Sequence, residues 1–532
     1  MAGTFTIGEK KVRPGVYYRR ENYGGVDVVG ATNGILAAVF QADWGPLNKV
    51  FDMDVTMKND IADYYGTDEH VRILKEGFNG GAITIRAVRC GDDDGIPSSV
   101  TLKAEKTVTV SAGAGEAAVS GDGADLDDEG GESGGAPETP KTETTTTTET
   151  TTTEMVDAVT ITAAYPGTRS FAVSIRTNLI TDQRECVIYD GTVIFEKVTF
   201  ASGDDETTNL VEALNKSSKN FIAKAIDGAD PTGPLATVTQ VPMTGGKNPT
   251  VTTASYDRAT NALERVKWNC MIVDTNDPAV HALVQSFVEQ SYETGHLGFG
   301  CLAGNSTQDL EERMSLAASY NDEKIAYVLT GWVANDGTVY DGYLAAARIG
   351  GMISSFEANS SLTHTVIKGA LSLTEPLTNG EIIKAQTKGC ITLSINDSDQ
   401  IWIDSAINTL VTPDADMDEG WKKLRRTKTR FELMDRVNST TDKLVGKVNN
   451  DVDGRQTVMA AAQKVINTMA GEKKLLDSSY VYEDPANPAE GDSAWYKLAI
   501  DDIDSQEHIY LTYQFRFSAN DGSSADDSAA TV

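Results

Sequence analysis

The chain has 532 residues, 40% of them hydrophobic, and a formal net charge of −32. That length gives room for several domains with real cores, while the acidic balance argues against nucleic acid or an anionic membrane as the main partner, since both call for a basic surface. No run approaches the roughly 20 apolar residues of a membrane span, and "MAGTFTIGEKKVRPG" has no apolar leader core, so no membrane insertion and manufacture in a cytoplasm are expected.

In chain order, residues 1–25 read as an arm. "KVRPGVYYRRENYGG" holds strand-forming Val12, Val16 and Tyr18 around Pro14, and proline belongs at a strand start or edge. No short turn returns a partner to this strand, although its backbone groups call for one. "GILAAVFQADWGP" then reads as a buried strand ended by Gly-Pro. "MKNDIADYYG" and "LKEGFNGGAITIRAVRC" read as two helices and a strand, making an N-terminal α/β part over 26–97.

Composition shifts at about Gly91. From there to Glu154 no aromatic residue occurs, and "SGDGADLDDEGGESGGAPETPKTETTTTTETTTTE" is acidic and Thr-rich. Such a segment cannot repay its ordering entropy, so 98–155 is expected to be a surface insertion, although "SVTLKA" and "KTVTVSAG" alternate like strands. Alternating runs from "DAVTITAAYPGTRSFAVSI" onward predict a β-rich domain over 156–250.

From 251 to 400, helices such as "PAVHALVQSFVEQSYETG" alternate with short apolar strands, "WNCMIVD", "HLGFGCLAG" and "KIAYVLTG". This order predicts βαβ units and a partly parallel sheet, and Gly350-Gly351 predicts close packing of one helix. Residues 401–504 read as mainly helical. "HIYLTYQFRF" alternates strictly, with Ile509, Leu511, Tyr513 and Phe515 on one face, so 505–518 is expected to be a strand arm and 519–532 a flexible tail. The fold class expected is a multidomain α+β protein, a mixed α/β core with an inserted β-rich domain and extended terminal arms.

Chemistry is hard to find. Cys90, Cys186, Cys270, Cys301 and Cys390 are scattered and odd in number, which reads as reduced thiols. "NNDVDG" imitates an EF-hand start, but its twelfth position is Ala460 where glutamate is needed. "GFNGGA" lacks the ending of a phosphate loop, and no Gly-x-Ser-x-Gly elbow exists. Asp501 and Asp502 near His508 have no candidate nucleophile. No catalytic, cofactor or metal site is expected. One basic cluster, "KKLRRTKTR", stands out in an acidic chain: Lys422, Lys423, Arg425 and Arg426 read as an outward helix face able to meet an acidic neighbour.

Taken together and in order, "KVRPGVYYR", "GILAAVFQADWGP", "GFNGGAITIRAVR", "AAYPGTRSFAVSI", "KVNNDVDGRQTVMAAAQKVI" and "HIYLTYQFRF" resemble contractile tail sheath proteins of myophages, defective prophages and phage-tail-like bacteriocins. The resemblance implies a non-enzymatic structural subunit, stacked with its own copies as a helical array around a tail tube and meeting baseplate and tail terminator proteins. It implies that the two arms add strands to sheets in neighbouring copies. The rival readings are an S-layer-like array protein and a nucleotide-using α/β enzyme.

Overall fold

A computed structural model describes residues 2–4, 13, 16–18, 33–111, 149–415 and 417–515. At the N-terminus β1 (Ala2–Thr4) runs parallel to β2 (Val16–Tyr18). The body begins with β3 (Ile35–Phe40), β4 (Phe51–Asp54), α1 (Ile61–Tyr65), α2 (Arg72–Gly80) and β5 (Thr84–Arg89). After an intervening β unit, the body resumes with α4 (Thr253–Asn261), β13 (Cys270–Val273), α5 (Pro278–Glu293), β14 (Phe299–Ala303), α6 (Leu310–Tyr320) and β15 (Ile325–Val328). A small sheet of β16 (Trp332–Ala334), β17 (Val339–Tyr340) and β18 (Ala370–Leu373) surrounds α7 (Tyr343–Ser355) in sequence, and α8 (Asn379–Thr387) precedes β19 (Cys390–Ile391).

The seven strands of the main sheet lie in the order β19-β15-β14-β13-β3-β5-β4, all parallel except β4. Helices cover both faces, which is why these strands are short unbroken apolar runs without polar alternation. In β13, Cys270 and Ile272 enter the core shared with α2 and α7, while Met271 and Val273 enter the core shared with α4, α5 and α6. The expected mixed α/β class and βαβ order are borne out.

Close packing of α7 on α2 rests on absent side chains. A Cβ on Gly351 would sit 2.2 Å from Gly77 O, and one on Gly80 would sit 2.1 Å from Arg348 O. At the same crossing Arg348 Nε donates to Glu76 Oε2 at 2.8 Å, and both residues are buried.

The intervening unit consists of β6 (Ser99–Ser111), β7 (Glu149–Ala163), β8 (Phe171–Thr177), β9 (Arg184–Asp190), β10 (Val193–Phe200), α3 (Glu206–Ser217), β11 (Phe221–Ala225) and β12 (Val238–Pro242). It packs two sheets, β10-β9-β8-β12 and β11-β7-β6, over a core that takes in Trp44 from the body. Trp44 meets Tyr165, Phe171 and Phe195 edge-on at 5.0–5.8 Å between ring centres. Buried Arg89 ties the same junction, donating to the carbonyls of Ala42, Gly45 and Pro166.

The boundary expected at 98–155 is corrected here. β6 and β7 pair from Ser99↔Thr162 to Ser111↔Glu149, so the last four threonines of the run, 150–153, are ladder, and Val100, Leu102 and Ala104 lie in the β unit's core. Threonine is β-branched and suits a pleated surface, which outweighs its polarity here. Residues 112–148 lie outside those described. Excision of 112–148 with a short Gly-containing turn keeps every described pair of β6 and β7 and is expected to leave the β unit folded. Excision of 98–156 removes β6 and half of β7 and is expected to leave the β unit unfolded. Circular dichroism with urea titration of both variants checks this.

The C-terminal part carries β20 (Leu393–Ile395), β21 (Ile401–Ile403), α9 (Leu424–Thr441), α10 (Val452–Gly471), β22 (Tyr480–Glu483) and β23 (Tyr496–Ala499). The EF-hand-like "NNDVDG" is a cap: Asp451 Oδ1 accepts from Gly454 N at 2.7 Å and starts α10.

Candidate assembly surface

The last described residues leave the body in two regimes. Up to Glu507 the chain is pinned. Ile503 N donates to Lys474 O at 3.0 Å and Leu476 N to Asp501 O at 3.0 Å. Ser361 and Thr363 hydroxyls donate to Glu507 Oε1 at 2.9 and 3.2 Å. From His508 to Phe515 the chain is in neither helix nor strand. Ile509, Leu511, Tyr513 and Phe515 are 65, 68, 73 and 86% exposed. Tyr513 and Phe515 rings stack at 6.4 Å with planes 19° apart, as i and i+2 side chains on one face of an extended chain do. The segment read as a strand is thus extended, apolar and without a strand partner among the described residues.

At the other terminus, Val16 and Tyr18 lie in β2, while Val12 and Pro14 fall outside the described residues. The reading that this strand has no partner in its own chain is corrected, because β1 supplies one: Ala2↔Val16, Gly3↔Tyr17 and Thr4↔Tyr18. β1 lies against α5 and β2 against α9.

The basic stretch is not an outward face. Arg425, Lys428 and Arg430 are buried. Arg426 donates from Nε and Nη2 to the two carboxylate oxygens of Asp502 at 2.7 and 2.6 Å, and from Nη1 to Asp418 at 2.9 Å. Lys423 Nζ lies 2.7 Å from Asp504 and 3.3 Å from Glu507. Lys422 pairs at the surface with Glu419 at 2.7 Å. Burial pushes the Asp502 carboxyl up, but the Arg426 hydrogen bonds and the charges of Arg430 and Arg426 outweigh it and hold it below the usual value. Fully buried Lys428 donates to Ile353 O and Ser354 O at 3.2 Å at the end of α7, and burial brings its ammonium down to about 8. Trp421 and Phe431 are core as well: Arg430 covers the Trp421 ring at 3.6 Å, and Phe431 meets Phe299 at 5.0 Å. Asp501, Asp502 and His508 form no dyad, since Asp502 is held by Arg426 and Asp501 accepts from Ser478.

A constellation missed at the level of sequence sits at the carboxyl ends of β3 and β13, where strand order reverses and open α/β sheets commonly place ligands. Asp274, fully buried, accepts from Tyr256 Oη at 2.5 Å and Gln41 N at 2.7 Å, and pairs with His70 Nδ1 at 3.0 Å. The hydrogen bond to Asp274 outweighs burial and raises the His70 imidazole to about 9. These groups are spent on one another and on backbone, so they lock loops together. A histidine with a raised pKa stabilises the fold fully below its unfolded value near 6.5, and that contribution is lost as pH rises through about 9. His70→Gln is expected to lower the melting temperature at pH 6.5, and the gap to the native protein should close by pH 10. A constant gap across that range overturns the assignment.

Residues 250–409 match the phage tail sheath protein central domain. The chain carries a sheath domain. It occupies the part of the body from just before α4 to just after β21, with most of the parallel sheet. The fold of the whole chain is similar to two solved structures. One is the sheath tail protein of Desulfitobacterium hafniense, with a TM-score of 0.63 at 18% identity, over 91% of this chain and 99% of that one. The other is the sheath tail protein of Listeria innocua, with a TM-score of 0.61 at 16% identity, over 89% and 96%. An uncharacterized Bacillus subtilis protein, YqbK, is 20% identical over 381 residues, 68% of this chain and 79% of that protein. The resemblance to tail sheath proteins read from the sequence is borne out, by the matched domain and by the fold of the chain.

Proposed function

We propose that this chain is the repeating subunit of a contractile sheath, polymerised helically around a tail tube, whose contraction drives the tube through a bacterial envelope. The observation that supports it most is the joining of a sheath domain to an exposed, alternating apolar segment from His508 to Phe515. Such a segment gains backbone hydrogen bonds and a fixed register by adding to a sheet edge in another copy. Contacts of that kind are head-to-tail and generate an open helix when their rotation does not close. Val12, Pro14, Val16 and Tyr18 belong to the corresponding N-terminal arm. The partners are further copies, the tail tube, baseplate and tail terminator proteins, in a particle assembled in the host cytoplasm. Of the four basic residues read as interface charges, Lys422 is the one left at the surface for a neighbour, since Lys423, Arg425 and Arg426 serve within the chain. Negative-stain microscopy of the purified chain, alone and coexpressed with its tube protein, is expected to show striated tubes of fixed diameter. Discrete particles under both conditions overturn the reading, and flat lattices favour an array protein of another kind.

A further inference from the structure

We infer that the charged contacts between α9 and residues 502–507 act as a clasp that sets where the C-terminal arm leaves the body, and through this which copy the arm can reach. The inference rests on the arm-exchange reading above and adds what limits the exchange. The clasp holds three carboxylates among four cations: Arg426 on Asp502, with Arg430 3.8 Å away, and Lys423 on Asp504 and Glu507, with Arg425 3.8 Å from Asp504. Ser361 and Thr363, from a loop in the body, bind the same Glu507. Backbone pairing reinforces it, with Asp502 bridging Leu475 and Ile503 N bonded to Lys474 O. Asp502 and Arg426 side chains are 10 and 15% exposed, so this bidentate pair is shielded from solvent and is stronger than an open surface pair.

The clasp ends abruptly at Glu507, and exposure of the apolar side chains begins at Ile509. The eight residues from His508 to Phe515 span about 26 Å when extended at roughly 3.3 Å per residue. A receiving edge on a second copy must therefore lie within about that distance of Glu507 for the described arm to cover it. With the clasp open, the chain is free from Ile500, just after β23, and its reach grows by about another 26 Å. A longer tether meets more than one neighbour and lowers the effective concentration at the correct one. Lys423, Arg426, Asp502 and Glu507 are thus positioning residues for assembly, distinct from the apolar side chains that make the contact.

The test uses the full-length chain with Asp502→Asn plus Glu507→Gln, which keep shape and remove charge, and Arg426→Gln as an independent second variant. Hydrogen exchange of the Ile503 amide in the monomer reads the clasp directly. It is expected to be protected in the native chain and to exchange roughly tenfold faster or more in both variants. Microscopy reads the consequence: the variants still polymerise, but into tubes of mixed diameter. An Ile503 amide that exchanges as fast as Tyr510 in the native monomer overturns the clasp. Uniform tubes from a variant with a labile Ile503 overturn its role in partner choice. Failure of the arm-exchange reading is distinguishable, because a chain ending at Glu507 would then assemble normally whatever the state of Ile503.

Discussion

Ending the chain after Glu507 is expected to leave a folded monomer that forms no tubes at any concentration at which the intact chain does. The described residues among those removed touch none of the body's cores: Ile509, Tyr510, Leu511, Tyr513 and Phe515 are 65–92% exposed. Their loss costs the monomer almost nothing, and the unfolding midpoint should not move. Assembly loses a strand of backbone hydrogen bonds and an alternating apolar face for every copy. Because a helical array multiplies each lost contact by its many subunits, the change is all-or-none. Sedimentation together with microscopy checks it, and tubes of ordinary length from the truncated chain contradict it. Substituting Leu511, Tyr513 and Phe515 together with serine, which keeps the backbone able to pair, should give the same loss of tubes if the apolar face sets the affinity.

Gly351→Leu is expected to destabilise the body strongly, and by more than Gly350→Ala. The two glycines are adjacent on α7 but meet different neighbours. A Cβ on Gly351 would stand 2.2 Å from Gly77 O and 3.0 Å from the Gly77 carbonyl carbon, all backbone of a helix that cannot give. The helices must part, and with them the buried Arg348–Glu76 pair. Overpacking costs typically 1–3 kcal/mol and sometimes more, and breaking a buried ion pair adds roughly 3–5 kcal/mol. Together these remove about 4–8 kcal/mol from an ordinary stability of about 5–15 kcal/mol. On Gly350 the nearest atom is Ile272 Cγ2 at 2.5 Å, on a buried β-branched side chain, so Gly350→Ala carries an overpacking cost but meets no backbone and breaks no ion pair. Chemical denaturation of both variants checks the contrast, and equal midpoints contradict it.

The parallel sheet was legible because strands buried on both faces need unbroken apolar runs, and "CMIV" and "IAYV" are such runs. The C-terminal segment was legible as an alternating apolar segment without a local partner, and it has no strand partner among the described residues. The basic stretch misled because a run of charge reads as solvated. Its acids, Asp502, Asp504 and Glu507, follow 76 or more positions later. The His70–Asp274 lock was beyond reach for the same reason, its two halves lying 204 positions apart. The Thr run concealed a ladder because composition was weighed above alternation, although Val108 and Val110 alternate with threonines as their partner strand requires.

The placing of β3 between β5 and β13 has a consequence for synthesis. One edge of β3 is sealed early by β5, but the other waits for β13, and Ile35 bonds Asn269, 234 positions downstream. At about 5–20 residues per second, the nascent chain carries that open edge for roughly 10–50 s. Meanwhile the β unit between them can fold from its own residues, so the chain matures from the middle outward. An unsealed strand edge is a template for wrong pairing, and the helical array proposed above would need many copies at once. The hazardous interval for this protein is therefore during translation, before a second copy is ever met, and slower elongation through residues 98–269 lengthens it.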